Sequence, residues 1–200
     1  MKKIWAGIKK NYQEKSRLAK ISDGFFLVLM LFLIIPSGRK VILAAFISLG
    51  LFQPLVKTEN AIPLSPQVWS FEFEDLEGQR IILGDFKDKV IFINFWASWC
   101  PPCVAEMPAI QKLYDQYHEQ MVFIIASDES RETIQKFLQK NNYTIPFLIY
   151  KYQLPEELRA SSVPATYVIS KDGRIVIDKK GAAKWNGSRM IKQFDQLLRD

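Results

Sequence analysis

At 200 residues, with 48% hydrophobic and 13% aromatic content, the chain can bury one sizeable core and carry extra segments, which excludes a globally disordered protein. The net charge of +6 is lopsided: residues 1–60 hold ten of the 27 Lys/Arg and three of the 21 Asp/Glu, so the remainder is near neutral and offers no basic face for nucleic acid. Two cysteines and one histidine exclude a disulfide-rich scaffold and a four-cysteine metal centre, and no metal site is expected.

The first elements are apolar. "FFLVLMLFLII" (25–35) is followed by "PSGRK" and then by "VILAAFISLGLF" (41–52). Eleven helical residues cover only about 17 Å of a ~30 Å hydrocarbon core, so a span has to start near Leu18, with Lys20 reaching back to the interface. We expect one membrane span over about 18–36, with the second apolar run in the interface or against the folded part. A cleaved signal peptide and a two-helix hairpin are the alternatives. The basic start keeps the N-terminus in the cytoplasm and puts the rest outside, where disulfide chemistry is permitted; Arg39 and Lys40 count against that orientation. Residues 1–56 are thus read as a basic membrane-anchor segment, 57–67 ("KTENAIPLSPQ") as a linker broken by prolines, and 68–200 as the folded domain.

Within that domain, "VWSFEFEDLEGQRIIL" holds two strand-like runs around the turn "LEGQ". "KVIFINFWA" reads as a strand buried on both faces. "CPPCVAEMPAIQKLYDQYH" has helical spacing, with Ile110, Leu113, Tyr114 and Tyr117 on one face. "MVFIIAS" is a second buried strand, and "SRETIQKFLQKNN" a helix capped by Ser130 and ending near Asn142. "PATYVIS" and "RIVIDKK" are strands joined by the turn "KDGR", and "NGSRMIKQFDQLLRD" closes the chain as an amphipathic helix. This order gives an α/β fold with a central mixed sheet and helices on both faces.

Cys100 and Cys103 are separated by Pro101 and Pro102 and sit where a buried strand hands over to a helix. A helix N-terminus favours the thiolate, the form that attacks disulfides. Cys103, one turn on, can release a captured client by intramolecular attack. The prolines fall at positions whose amides lack helical partners anyway, so they do not harm the helix, yet they withhold two N–H donors from a thiolate. The expectation is a less acidic Cys100 and a more reducing pair than a polar dipeptide would give. The alternative is that the prolines only stiffen the turn.

"FWASWCPPC", Pro108 within the helix, "SVPATYVI" about 60 residues on and the "KDGRIV" hairpin together resemble the thioredoxin-fold oxidoreductases, over about 66–200. "CPPCVAEMP" is similar to the CxPCxxExP pattern of the membrane-anchored TlpA/ResA-like branch. The resemblance implies a thioredoxin fold with an N-terminal β-hairpin extension and a helix/strand insert between 121 and 163. It implies a cis bond before Pro164, facing the cysteines, and a redox-active Cys100–Cys103 disulfide with no further cofactor. Glu106 is then the carboxylate that assists proton transfer, since Asn94 stands where thioredoxin has an Asp and cannot titrate. Trp99, Pro101, Pro102, Val163 and Pro164 are expected to line the substrate groove. Trp96 is expected in the core, and "GAAKWNG", with Trp185, is given no role.

The implied function is a membrane-tethered thiol-disulfide oxidoreductase outside the cytoplasm, at the bacterial inner membrane, reducing cysteine-containing client proteins such as those of cytochrome c maturation. A transmembrane electron donor of the DsbD/CcdA kind would recharge it. A peroxiredoxin-like thiol peroxidase is a rival reading, but Ala97 occupies the place of the hydroxyl such enzymes need, and no Arg lies between Arg80 and Arg131. A non-catalytic binding module of the same fold is the third.

Overall fold

The computed structural model describes residues 16–34, 54–56, 61–159 and 161–199. The chain divides into two units, Met1–Ile42 and Leu43–Asp200. In the first unit one helix is described, α1 (Arg17–Ile34). Phe25, Phe26, Leu27 and Val28 on it are exposed. The span expected over 18–36 is not found as such: among the described residues no helix is long and apolar enough to cross a membrane. The physical reason is that Arg17, Lys20 and Asp23 occupy the first two turns of α1, leaving too short an uncharged stretch. Residues 35 and 36 and the second apolar run, 41–52, lie outside the described residues.

The second unit is built on one eight-stranded mixed sheet in the order β1-β8-β7-β4-β5-β6-β2-β3. The strands are β1 (Ile62–Pro63), β2 (Glu72–Glu74), β3 (Arg80–Ile82), β4 (Val90–Phe95), β5 (Met121–Ser127), β6 (Phe147–Ile149), β7 (Ala165–Ile169) and β8 (Arg174–Lys180). β4, β5 and β6 run parallel, and the other pairings are antiparallel. β4 is buried at all six positions, as its unbroken apolar run requires. The β2–β3 hairpin joins the sheet through a single pairing of Glu74 with Ile149 of β6. β1 lies inside the segment read as a linker.

Alternation along the strands divides the core in two. Phe92, Phe123 and Ile125 point to one side, where they meet Met107 and Ile110 of α3 (Pro101–Tyr117), Ile134 of α4 (Arg131–Leu138) and Phe194 of α5 (Ser188–Arg199). Ile91, Ile93 and Phe95 point to the other, closed by Val68 of α2 (Pro66–Trp69) and by Leu83 and Leu158 on two short 3-10 turns. α2 takes Val68 and Trp69 out of the strand-like run, because Pro66 at its first turn favours a helix start. α4 stops at Leu138, four residues before Asn142. The β7–β8 turn needs Gly173, which has φ +75°; a Cβ there would also sit 3.0 Å from the Trp69 ring.

Candidate active site

β4 ends at Phe95 and α3 begins at Pro101, so the five intervening residues carry the chain from the sheet to the start of a helix. Cys100 is the cap of α3. It is extended (φ −89°, ψ 105°), and its Sγ accepts the N–H of Cys103 at 3.3 Å. Cys100 and Cys103 are joined as a disulfide, with Cα atoms 5.3 Å apart. Cys103 is completely buried and Cys100 is 3% exposed. Pro101 and Pro102 occupy the first two helical positions as the sequence predicts. Pro108, further along, gives up the helical bond to the Val104 carbonyl.

Opposite the helix start lies the segment leading into β7. The Val163–Pro164 bond is cis, and the Val163 carbonyl oxygen lies 3.7 Å from Cys100 Sγ. Trp99 is 71% exposed beside Cys100, Pro101 is exposed, Pro102 and Val163 are half-buried, and Pro164 is buried. Trp96, the other tryptophan of the loop, is in the core against Phe137 and Phe147.

Glu106 is fully buried on α3, one turn beyond Cys103. Three donors converge on its carboxylate. Asn94 Nδ2 donates to Oε1 at 2.9 Å; the Ala183 N–H and Trp185 Nε1 both donate to Oε2 at 3.0 Å. Asn94 Nδ2 also donates to Thr166 Oγ1 at 2.8 Å, a contact set by the register that places Asn94 directly opposite Thr166. Asn94 Oδ1 is buried and, among the described residues, has no partner. Burial pushes the Glu106 carboxyl up to about 7, against the opposing pull of the Ala183, Asn94 and Trp185 donors and the Lys179 charge. A carboxyl so poised can take and return a proton near neutral pH.

The structure therefore brings Cys100, Cys103 and the Val163 carbonyl together and buries Glu106 on the helix that carries both sulfurs. Thr166 and Ala183 were not singled out in the sequence, Asn94 was noted only as a residue that cannot titrate, and Trp185 was given no role. Trp185 carried a readable signal: an indole N–H, once buried, seeks an acceptor. Among the described residues, no group of three or more His, Cys, Asp or Glu gathers as metal ligands would. A groove of about 930 Å³ near the N-terminus of α4, lined by Glu129, Arg131, Tyr150 and Tyr152, includes neither cysteine.

A strand-to-helix dithiol facing a cis-proline segment has clear relatives. The model of the AhpC/TSA family matches residues 65–177. The thiol-disulfide oxidoreductase ResA of Bacillus cereus is 34% identical over 143 residues, covering 70% of this chain and 83% of that protein. ResA of Halalkalibacterium halodurans is 35% identical over 136 residues, covering 66% of this chain and 76% of its own. Among solved structures, a DsbF homologue from Corynebacterium diphtheriae superposes with a TM-score of 0.56 at 25% identity, over 74% of this chain and 94% of that one. The paired sulfurs at the head of α3, with relatives that share both the sheet and the sequence around it, make this chain a member of the AhpC/TSA family and, within it, a ResA-like thiol-disulfide oxidoreductase.

Proposed function

We propose that the protein works outside the cytoplasm as a reductant of disulfides in other proteins, held at the bacterial inner membrane by residues 1–56, with apocytochrome c thiols as one class of client. The carrying observation is the donor arrangement at Cys100. Among the described residues, Cys103 supplies the amide that reaches Sγ, and Pro101 and Pro102 have no N–H to offer. A thiolate with little amide support stabilises the reduced form weakly, and such a couple gives up its electrons readily.

The cycle starts from the dithiol. The Cys100 thiolate attacks one sulfur of a client disulfide; the client S–S bond breaks, and its other sulfur leaves and takes a proton. Cys103 gives its proton to Glu106 and attacks Cys100 Sγ, breaking the mixed disulfide and releasing the second client sulfur. Two electrons have then passed to the client, and the Cys100–Cys103 disulfide has formed, the state of the structure. Trp99, Pro101, Pro102, Val163 and Pro164 line the path of the client chain, which the Val163 carbonyl beside Cys100 suits. A transmembrane dithiol donor of the DsbD/CcdA kind restores the enzyme.

The basic excess of the first 60 residues and the exposed Phe25, Phe26, Leu27 and Val28 of α1 support membrane attachment. Residues 57–67 lead into a redox domain of 68–200. Peroxidase chemistry is less favoured: Ala97 is buried and bears no hydroxyl, and Arg131 is paired with Glu74.

The deciding measurement is the midpoint potential of the Cys100–Cys103 couple. We expect it below about −230 mV; a value near the −120 mV of strong periplasmic oxidants would reverse the direction. A topology reporter joined after Asn60 tests the compartment, and a cytoplasmic signal there would remove the membrane part of the reading.

A further inference from the structure

Backbone bonds pin the two ends of the loop that delivers Cys100. Trp96 N–H donates to the Ala126 carbonyl at 3.0 Å, and Cys100 N–H to the Ala97 carbonyl at 3.2 Å. Ser98, between them, is held differently. Its N–H donates to Glu129 Oε2 at 2.6 Å and its hydroxyl to Glu129 Oε1 at 2.7 Å. Both oxygens of one carboxylate thus serve one residue, two positions before the attacking sulfur.

Glu129 is itself fixed. It lies between β5 and α4; its N–H donates to Ser127 Oγ at 3.2 Å, and the Ser127 hydroxyl lies 3.4 Å from Oε2. Ser127 is fully buried. The other charged groups lining the groove with Glu129 are Asp128, Arg131, Glu132, Glu74, Lys151 and Arg159. Glu74 engages both Arg131 and Lys151. Among the described residues no cation forms an ion pair with Glu129, so its carboxylate is directed to Ser98.

A neutral side chain could close this loop. A carboxylate does more: its bonds to N–H and O–H are charge-assisted and roughly twice as strong as neutral ones, and its negative charge near the loop disfavours a thiolate at Cys100. It also occupies the Ser98 amide, which joins the two prolines in offering nothing to the sulfur. We infer that Glu129 is a positioning residue of the redox site, clamping Ser98 so that the loop holds Cys100 in place and biasing the couple toward disulfide formation by its charge.

This rests on the reductant reading, and the test separates the two. In the full-length chain, Glu129→Gln keeps an acceptor for the Ser98 N–H and removes the charge, Glu129→Ala removes the clamp, and Ser98→Ala removes one of its two bonds. The readouts are the equilibrium constant with dithiothreitol, kcat and KM for insulin reduction, and amide exchange at Ser98. We expect Glu129→Gln to shift the equilibrium at least about threefold toward the dithiol with kcat nearly kept. Glu129→Ala should lose about tenfold in kcat with KM little changed, and the Ser98 amide should exchange about tenfold faster. Ser98→Ala should fall between wild type and Glu129→Ala. An unchanged equilibrium in Glu129→Gln, or unchanged kcat in Glu129→Ala, overturns the inference. If Glu129→Ala does not fold, Glu129→Gln and Ser98→Ala carry the test. A wild-type chain that reduces no disulfide would instead overturn the reductant reading.

Discussion

Trp185 donates its indole N–H to Glu106 Oε2 at 3.0 Å across 79 residues of chain. The ring that makes this bond is fully buried and packs edge-on against Phe92 of β4, with centroids 5.0 Å apart. The carboxylate is thus oriented by a residue whose own position is fixed by the core.

Replacing Trp185 by Phe keeps much of the ring packing and removes the donor. The ionised form of Glu106 loses one of its three hydrogen bonds, so its pKa should rise further above about 7. Leaving that oxygen with one donor costs about 1–3 kcal/mol when the group is charged. Carbon-13 NMR titration of the Glu106 carboxyl should show the upward shift; a midpoint at or below the wild-type value would contradict it.

Glu106 also makes stability depend on pH. Its folded pKa is raised from 4.5 to about 7, so between those values the folded chain keeps a proton that the unfolded chain releases. Stability from this group is therefore greatest below pH 4.5, falls as pH rises through the window and is level above about 7. Glu106→Gln abolishes the slope. Its amide NH2 can meet Asn94 Oδ1, the buried acceptor now without a partner among the described residues, once the Asn94 amide turns over. Urea unfolding at pH 5 and pH 8 should show wild type losing roughly 2–3 kcal/mol more than Glu106→Gln. The same variant should form mixed disulfides normally and resolve them slowly.

Pro102→Thr adds an N–H at the second position of α3, close to a sulfur that now receives one amide. We expect a more acidic Cys100 and a potential less negative by on the order of 30 mV, a tenfold change in the equilibrium. Redox titration against glutathione and the pH dependence of alkylation measure both, and no change in either would leave the prolines a purely stiffening role.

Cys103→Ser should trap client proteins on Cys100. The mixed disulfide forms as before, but the attack that clears it is lost. Non-reducing electrophoresis of cells expressing the variant should show adducts that vanish when Cys100 is also replaced; a variant that accumulates none would remove Cys103 from the resolving role.

The strands were legible wherever burial imposed a period or an unbroken apolar run: β5 and β8 coincide with "MVFIIAS" and "RIVIDKK". α2 was not, because Val68 and Trp69 suit a strand locally and only Pro66 points to a helix start. β1 is two residues long and exists through its pairing with β8, which no local pattern in "AIPL" announces. Around the disulfide, the two-residue spacing placed Cys100 and Cys103 at the head of one helix, whereas Glu106 was picked out by the resemblance, and the structure buries it one turn beyond Cys103. Asn94 was read as a missing acid, when its contribution is a donated hydrogen bond. Ala183 and Trp185 reach Glu106 by tertiary contact alone: the indole N–H of Trp185 announces that it needs an acceptor, but one sequence without covariation does not say which.

The distance along the chain from Glu106 to Trp185 also orders events during biosynthesis. Both sulfurs emerge from the ribosome well before the indole that steadies their acid. A polypeptide terminated before residue 183 would carry both sulfurs and Glu106 but lack two of the three donors to its carboxylate. The hydrogen bonds around the acid are therefore completed only near the end of translation, after β8 has been made and the chain beyond it has brought Ala183 and Trp185 to the carboxylate.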